Sequence, residues 1–181
     1  MSAYKQQEHD FIKRTQKIIL QYDDYFKDKK DSNEKYEVTL LINAFVGLLI
    51  LPQQEWFKHL PSDLVSEDIW GIDQTHIAFI KIGETKSIKS VATHLRNSVA
   101  HYNFTVFENK QDEISEIQFL DYKEKENINK TFEATVPVEN LRKFLNYFSE
   151  IMIEKMVIAK GSPVGATKTK SNGKILKFKK R

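Results

Sequence analysis

The sequence predicts a mainly helical domain, a bundle of four to five helices with a small antiparallel β-hairpin or meander. Long stretches near both ends repeat apolar residues at helical spacing, and an apolar run from Val38 to Leu51 stops at Pro52. Beyond residue 103, three short segments alternate apolar and polar side chains in the manner of half-buried strands. With 40% apolar residues in 181, the chain can bury one substantial core, so one domain is expected.

Phe11, Ile12, Thr15, Ile18, Ile19, Tyr22 and Phe26 share a helical face, which predicts a first helix over about residues 3–27. The charged run from Lys27 to Asn33 ends it as a solvated loop. Ser32 or Asn33 can cap a second helix with Glu34 and Glu37 in its first turn, where the helix dipole favours acids; it runs through the apolar segment to Leu51. Residues 53–60 can continue helically, whereas residues 61–84 mix Pro, Gly, Asp and Ser and give no assignment. Ser87 caps a third helix over residues 88–101. Residues 104–107, 114–122 and 131–136 read as strands, and Pro137 opens a last helix. In that helix Val138, Leu141, Phe144, Leu145, Phe148, Ile151 and Met152 form a continuous apolar stripe.

The absence of cysteine excludes disulfides, cysteine metal sites and thiol nucleophiles. The polar first ten residues lack the apolar segment of a secretory signal, and the run from Val38 to Leu51 falls short of the roughly 18 apolar residues that cross a bilayer. A cytoplasmic protein with no membrane partner is therefore expected. His9, His59 and His76 have no ligand spacing, no His-Glu-x-x-His occurs, and the six glycines form neither a phosphate loop nor a dinucleotide fingerprint. No metal and no cofactor is expected. Trp56, Phe57, Trp70 and Phe79 read as residues that close the core.

Charge divides the chain into residues 1–156 and a tail, 157–181. Eight of the 28 basic residues and none of the 25 acidic ones lie from Val157 onward, so residues 1–156 carry a net charge of about −5. Residues 161–181 are rich in Gly, Ser, Pro, Thr and Lys, with little to bury. Lys174, Lys177, Lys179, Lys180 and Arg181 are the candidate contacts to an RNA backbone. Docking on an acidic partner or on the acidic body, or a purely solubilising role, are the alternatives.

On a helical wheel Ile88, Val91, Ala92, Leu95 and Val99 occupy one face, Arg96 stands at its edge, and Thr93, His94, Asn97, Ser98 and His101 lie opposite. A polar face this rich calls for a partner or water. Arg96 and His101 stand about 140° apart on a regular helix, so one helix does not aim both at one atom without a bend at its end. Two copies meeting about a two-fold axis could bring them together. Ordinary roles exist beside the chemical one: His101 as a cation at a helix C-terminus, Arg96 as a paired rim residue, and His94, which one heptad before His101 could assist it, as a solvated histidine.

The segment Leu95-Arg96-Asn97-Ser98-Val99-Ala100-His101 resembles the Arg-x4-6-His motif of the HEPN superfamily, here with x4 spacing and a polar residue directly after the arginine. The Leu-Leu-Ile-Leu-Pro-Gln-Gln-Glu stretch at residues 48–55, the strand-rich segment after the motif and the final amphipathic helix are similar to small plasmid and prophage-type HEPN proteins, over roughly residues 10–155. The resemblance implies a homodimeric HEPN-like bundle that, in active members, cleaves RNA without a metal, leaving 2′,3′-cyclic phosphate and 5′-hydroxyl ends. Arg96, Asn97 and His101 inherit the catalytic roles. Histidine can take the proton of a ribose 2′-hydroxyl or protonate the leaving oxygen, and arginine matches a crowded phosphate with several donors. Toxin and defence members imply an antitoxin or regulatory protein as a further partner, and other members bind RNA or protein without cutting. In one toxin branch a tyrosine two residues after the histidine is nucleotidylated; Asn103 stands there, and the tyrosine is Tyr102. Regulation by that route is not expected.

Overall fold

A computed structural model describes residues 7–28, 36–50, 57, 60–110, 113–123 and 129–159. The first helix, α1, spans Gln7–Phe26. It buries Ile12 and Ile19 as the periodicity requires, but Ile18 points outward and is half exposed. Helix α2, Glu37–Phe45, continues as a π-helical turn, Val46–Ile50. The expected caps Ser32 and Asn33, the Leu51–Pro52 stop and most of residues 53–60 lie outside the described residues.

The segment that resisted assignment holds a short helix α3, Glu67–Trp70, a 3-10 turn, Gln74–His76, and a strand β1, Ile77–Ile80. Asp73 accepts from the Thr75 N–H at 2.7 Å and the Asp73 N–H donates to His76 Nδ1 at 2.9 Å, so the turn closes on itself and delivers the chain into β1. Helix α4, Ile88–Ala100, starts on the Ser87 cap, whose hydroxyl accepts from Ser90 N–H at 3.3 Å. Strands β2, Phe104–Glu108, β3, Ile114–Tyr122, and β4, Lys130–Pro137, follow, then α5, Val138–Ala159.

The strands form one antiparallel sheet in the order β1-β4-β3-β2. A mainly helical chain is correct, but the sheet is larger than a hairpin or meander. β1 joins it from the far side of α4, pairing Ile77 with Ala134 and Ile80 with Phe132. Four residues carry too weak a pattern to announce a strand, and their long-range partner supplies the hydrogen bonds.

The inner face of the sheet packs on α4 and α5, with α1 and α2 against α5. Phe119 of β3 meets Phe45 of α2 at 5.7 Å, Phe45 stacks on Phe144, Phe144 on Phe148, and Phe148 reaches Phe57 at 5.8 Å. These rings are the largest units of the core, and each such pair adds about 0.5–1.5 kcal/mol beyond its buried area. Trp70 is buried with them, whereas Phe79 is partly exposed under Lys130 and does not close the core. Trp56 lies outside the described residues. Arg142 ties α5 to the other helices through Asp23 and Glu37, the latter at 2.6 Å. Among the described residues no helix is long and apolar enough to cross a membrane.

Candidate functional site

Helix α4 carries the site because it is squeezed from two sides. Its apolar stripe packs on α2 and the π-helical turn, and its other face meets β3. His94 and Ser98, on the face expected to seek water or a second chain, are therefore buried. The Ser98 hydroxyl donates to the His94 carbonyl at 2.8 Å.

His94, expected to be solvated in preference to assisting the motif, is instead buried. Its ring stacks on Phe132 of β4, centroids 4.8 Å apart and nearly parallel. Nδ1 lies 2.7 Å from Asp121 Oδ2 and Nε2 lies 2.9 Å from Glu84 Oε2. A carboxylate facing each ring nitrogen is satisfied best when both nitrogens carry protons, so the setting favours the imidazolium form. Burial works against that charge, but the bonds to Asp121 and Glu84 outweigh it and raise the His94 pKa. The same balance runs in reverse for the acids. Burial opposes their ionisation, while hydrogen bonds from His94 and Asn97 hold Asp121, and from His94 and Ser90 hold Glu84, below the ordinary carboxylate range.

Asp121 also anchors the motif. Asn97 Nδ2 donates to Asp121 Oδ2 at 2.9 Å, and Asn97 Oδ1 accepts from Arg96 Nη2 at 2.7 Å and from Nε at 3.2 Å. The Arg96 guanidinium stands 5.6 Å from the centre of the Phe57 ring, the end of the aromatic chain through the core. A continuous set of bonds thus runs from Glu84 through His94, Asp121 and Asn97 to Arg96. Among the described residues Arg96 pairs with no carboxylate, and no hydrogen bond to them uses the second hydrogen on Nη2 or either on Nη1.

His101 caps the C-terminus of α4 at φ −101° and ψ 6° and is exposed. Its backbone N–H still bonds to the Asn97 carbonyl at 3.0 Å, while its ring makes no hydrogen bond to a described residue. The structure thus joins Arg96 to Asn97 and leaves His101 apart, at the helix end where the regular wheel no longer applies. Lys174, Lys177, Lys179, Lys180 and Arg181 lie outside the described residues.

On the sheet side of α4 an open cleft of about 510 Å³ is lined by Lys81, Glu84, Ser90, Thr93, His94, Asn97 and Asp121, with Lys89 and Lys123 beside them. Asn97 belongs both to this cleft and to the motif. Among the described residues no group of three or more His, Cys, Asp or Glu side chains is arranged to hold a metal ion.

Asp121 and Glu84 escaped the sequence reading, though Asp121 had a signal. On β3, Ile117 and Phe119 are buried and Asp121 continues their alternation, so an acid occupies an inward-facing strand position. Such a residue needs a buried partner. Glu84 sits in a turn and had no comparable mark.

The family model described as HEPN pEK499 p136 matches residues 1–158. The chain belongs to the HEPN family. No match was found among curated proteins or among solved structures. In this HEPN protein Asn97 is bonded to Asp121, which in turn is bonded to His94, so residues 95–101 rest on β3 through these side chains.

Proposed function

We propose that this HEPN protein is a metal-independent endoribonuclease that acts as a homodimer in the cytoplasm, in a toxin or defence setting. The observation that carries the reading is the state of Arg96: held by Asn97 and the Phe57 ring, it has free donors and no carboxylate partner among the described residues. A fixed guanidinium with unused donors suits the charge that develops on a phosphate oxygen. His101, exposed at the helix end, takes the proton from the ribose 2′-hydroxyl as its oxygen attacks the adjacent phosphorus. The bond to the 5′-oxygen breaks, that oxygen takes a proton from solvent water while His101 returns its own proton to solvent, and the products carry 2′,3′-cyclic phosphate and 5′-hydroxyl ends. Asn97 exchanges no proton; it orients Arg96 against Asp121. Lys81, Lys89 and Lys123 along the cleft supply favourable charge for the flanking phosphates.

The test is a short RNA incubated with purified protein in EDTA, read by the mass and end groups of the products. Cleavage should persist under chelation and fall by roughly 10²–10⁴-fold in His101→Ala and 10²–10³-fold in Arg96→Ala. Asn97→Ala should be milder, about 10-fold, the worth of one orienting hydrogen bond. RNA that is bound yet left intact across pH 6–9, with neither His101→Ala nor Arg96→Ala changing any output, would replace this reading with a non-catalytic binding module.

A further inference from the structure

The end of α4 closes with the hydrogen-bond pair of a Schellman motif. The Tyr102 N–H reaches the Val99 carbonyl at 3.2 Å, and the Asn103 N–H reaches the Ser98 carbonyl at 2.7 Å. That closure puts the residue after the cap in the left-handed region, a place filled mostly by glycine and sometimes by asparagine. Here it is Tyr102, at φ 58°, the one non-glycine residue with positive φ among those described. Its Cβ is crowded in this conformation, so the turn carries strain that a glycine would relieve.

Core packing does not account for the choice, because Tyr102 is 81% exposed. Its ring leans on Phe104, centroids 4.8 Å apart and planes tilted by 59°, and Phe104 packs in turn against the core. The result is an aromatic ring braced on one side, open on the rest, and directly following His101. A lone exposed tyrosine is unremarkable, but it does not ordinarily require a disfavoured backbone.

We infer that Tyr102 is a base-stacking platform for an unpaired nucleotide next to the phosphate handled by Arg96 and His101. The inference rests on the nuclease reading and narrows it. An aromatic face stacks any unpaired base, whereas bases inside a duplex are already stacked and out of reach. The Schellman turn fixes where the ring leaves the backbone, one residue after His101, and Phe104 braces it there.

The experiment uses the full chain carrying His101→Ala, so that RNA stays intact, with a short fluorescein-labelled single-stranded RNA and the same sequence as a duplex. Adding Tyr102→Gly should weaken single-strand binding by about 5- to 150-fold, the range of one base-aromatic stack. Tyr102→Trp should restore it, and duplex binding should not respond to either change. Tyr102→Gly should at the same time raise the melting temperature by about 2–4 °C, because the strain is relieved. Unchanged single-strand affinity, a loss that Trp does not restore, or a lowered melting temperature would overturn the inference. A change in sedimentation without a change in affinity would assign the ring to contact between copies and also overturn it. The two levels separate cleanly. Wild-type cleavage with binding indifferent to residue 102 sinks this inference alone, whereas no cleavage and no binding at all sinks the nuclease reading and the inference with it.

Discussion

Asp121→Asn tests the scaffold under the motif with an almost unchanged shape. Asp121 is 4% exposed, and a single carboxylate oxygen serves His94 Nδ1 at 2.7 Å and Asn97 Nδ2 at 2.9 Å. The amide offers one neutral carbonyl to these two donors and sets its NH2 against the Tyr122 N–H, which donates to Asp121 Oδ1 at 2.9 Å, so Glu84 is left as the one carboxylate bonded to the His94 ring. Breaking a buried pair from one side costs about 3–5 kcal/mol, and at about 2–4 °C per kcal/mol for a chain of this length the melting temperature should fall by roughly 6–20 °C. The loss should depend on pH. His94 has a folded pKa above its unfolded value, so its contribution is complete below about pH 6.5 and fades as pH rises through the raised value. Asp121 is shifted down, so its contribution is complete above about pH 3.9 and disappears as pH falls through the lowered value. The difference between wild type and variant is thus greatest at about pH 4–6.5 and narrows toward pH 9. Thermal melts across pH 5–9, with the His94 ring followed by NMR, measure both effects. In the variant the His94 titration should move down. A melting difference that does not vary with pH, or a His94 titration untouched by the substitution, would refute the ion-pair account.

The two left-handed glycines separate backbone strain from crowding. Gly71→Ala places a Cβ 2.5 Å from the Asn140 carbonyl oxygen and 2.6 Å from Lys143 Cβ, whereas at Gly83 nothing lies within 4 Å. Urea midpoints should therefore show a loss of about 2–4 kcal/mol for Gly71→Ala and only about 1–2 kcal/mol for Gly83→Ala; equal losses would contradict the packing of α5 over Gly71. Shared clefts predict that mixing Arg96→Ala with His101→Ala chains gives heterodimers whose RNA cleavage differs from either parent. Activity equal to the average of the parents, in a mixture shown by mass to contain heterodimers, would mean that each chain works alone.

The periodic parts of the chain were legible without coordinates. Apolar spacing located α1, α4 and α5 to within a few residues, Ser87 marked the start of α4, and alternation placed β2, β3 and β4. These features answer to local geometry, since a 3.6-residue or two-residue repeat records which side of an element faces the core. The strand β1 was not legible. Ile77–Ile80 is short, and it is a strand because β4 lies beside it, more than fifty residues further along the chain.

The same division runs through the site. Residues 95–101 stood out as a candidate through their resemblance to the HEPN motif at a helix end and the segments flanking it, and the wheel set His94 at the correct angle, opposite Leu95 and Val99. What lay at that angle was beyond the sequence. A helical repeat distinguishes an apolar face from a polar one, and it does not say whether the polar face meets water or a second layer of the same protein. Tertiary structure placed β3 and β4 there, putting Asp121 and the Phe132 ring against His94 and making an expected solvated histidine a buried one bonded to carboxylates. That outcome depends on β3 following α4 and folding back over it, a contact between residues 27 apart that no local pattern encodes.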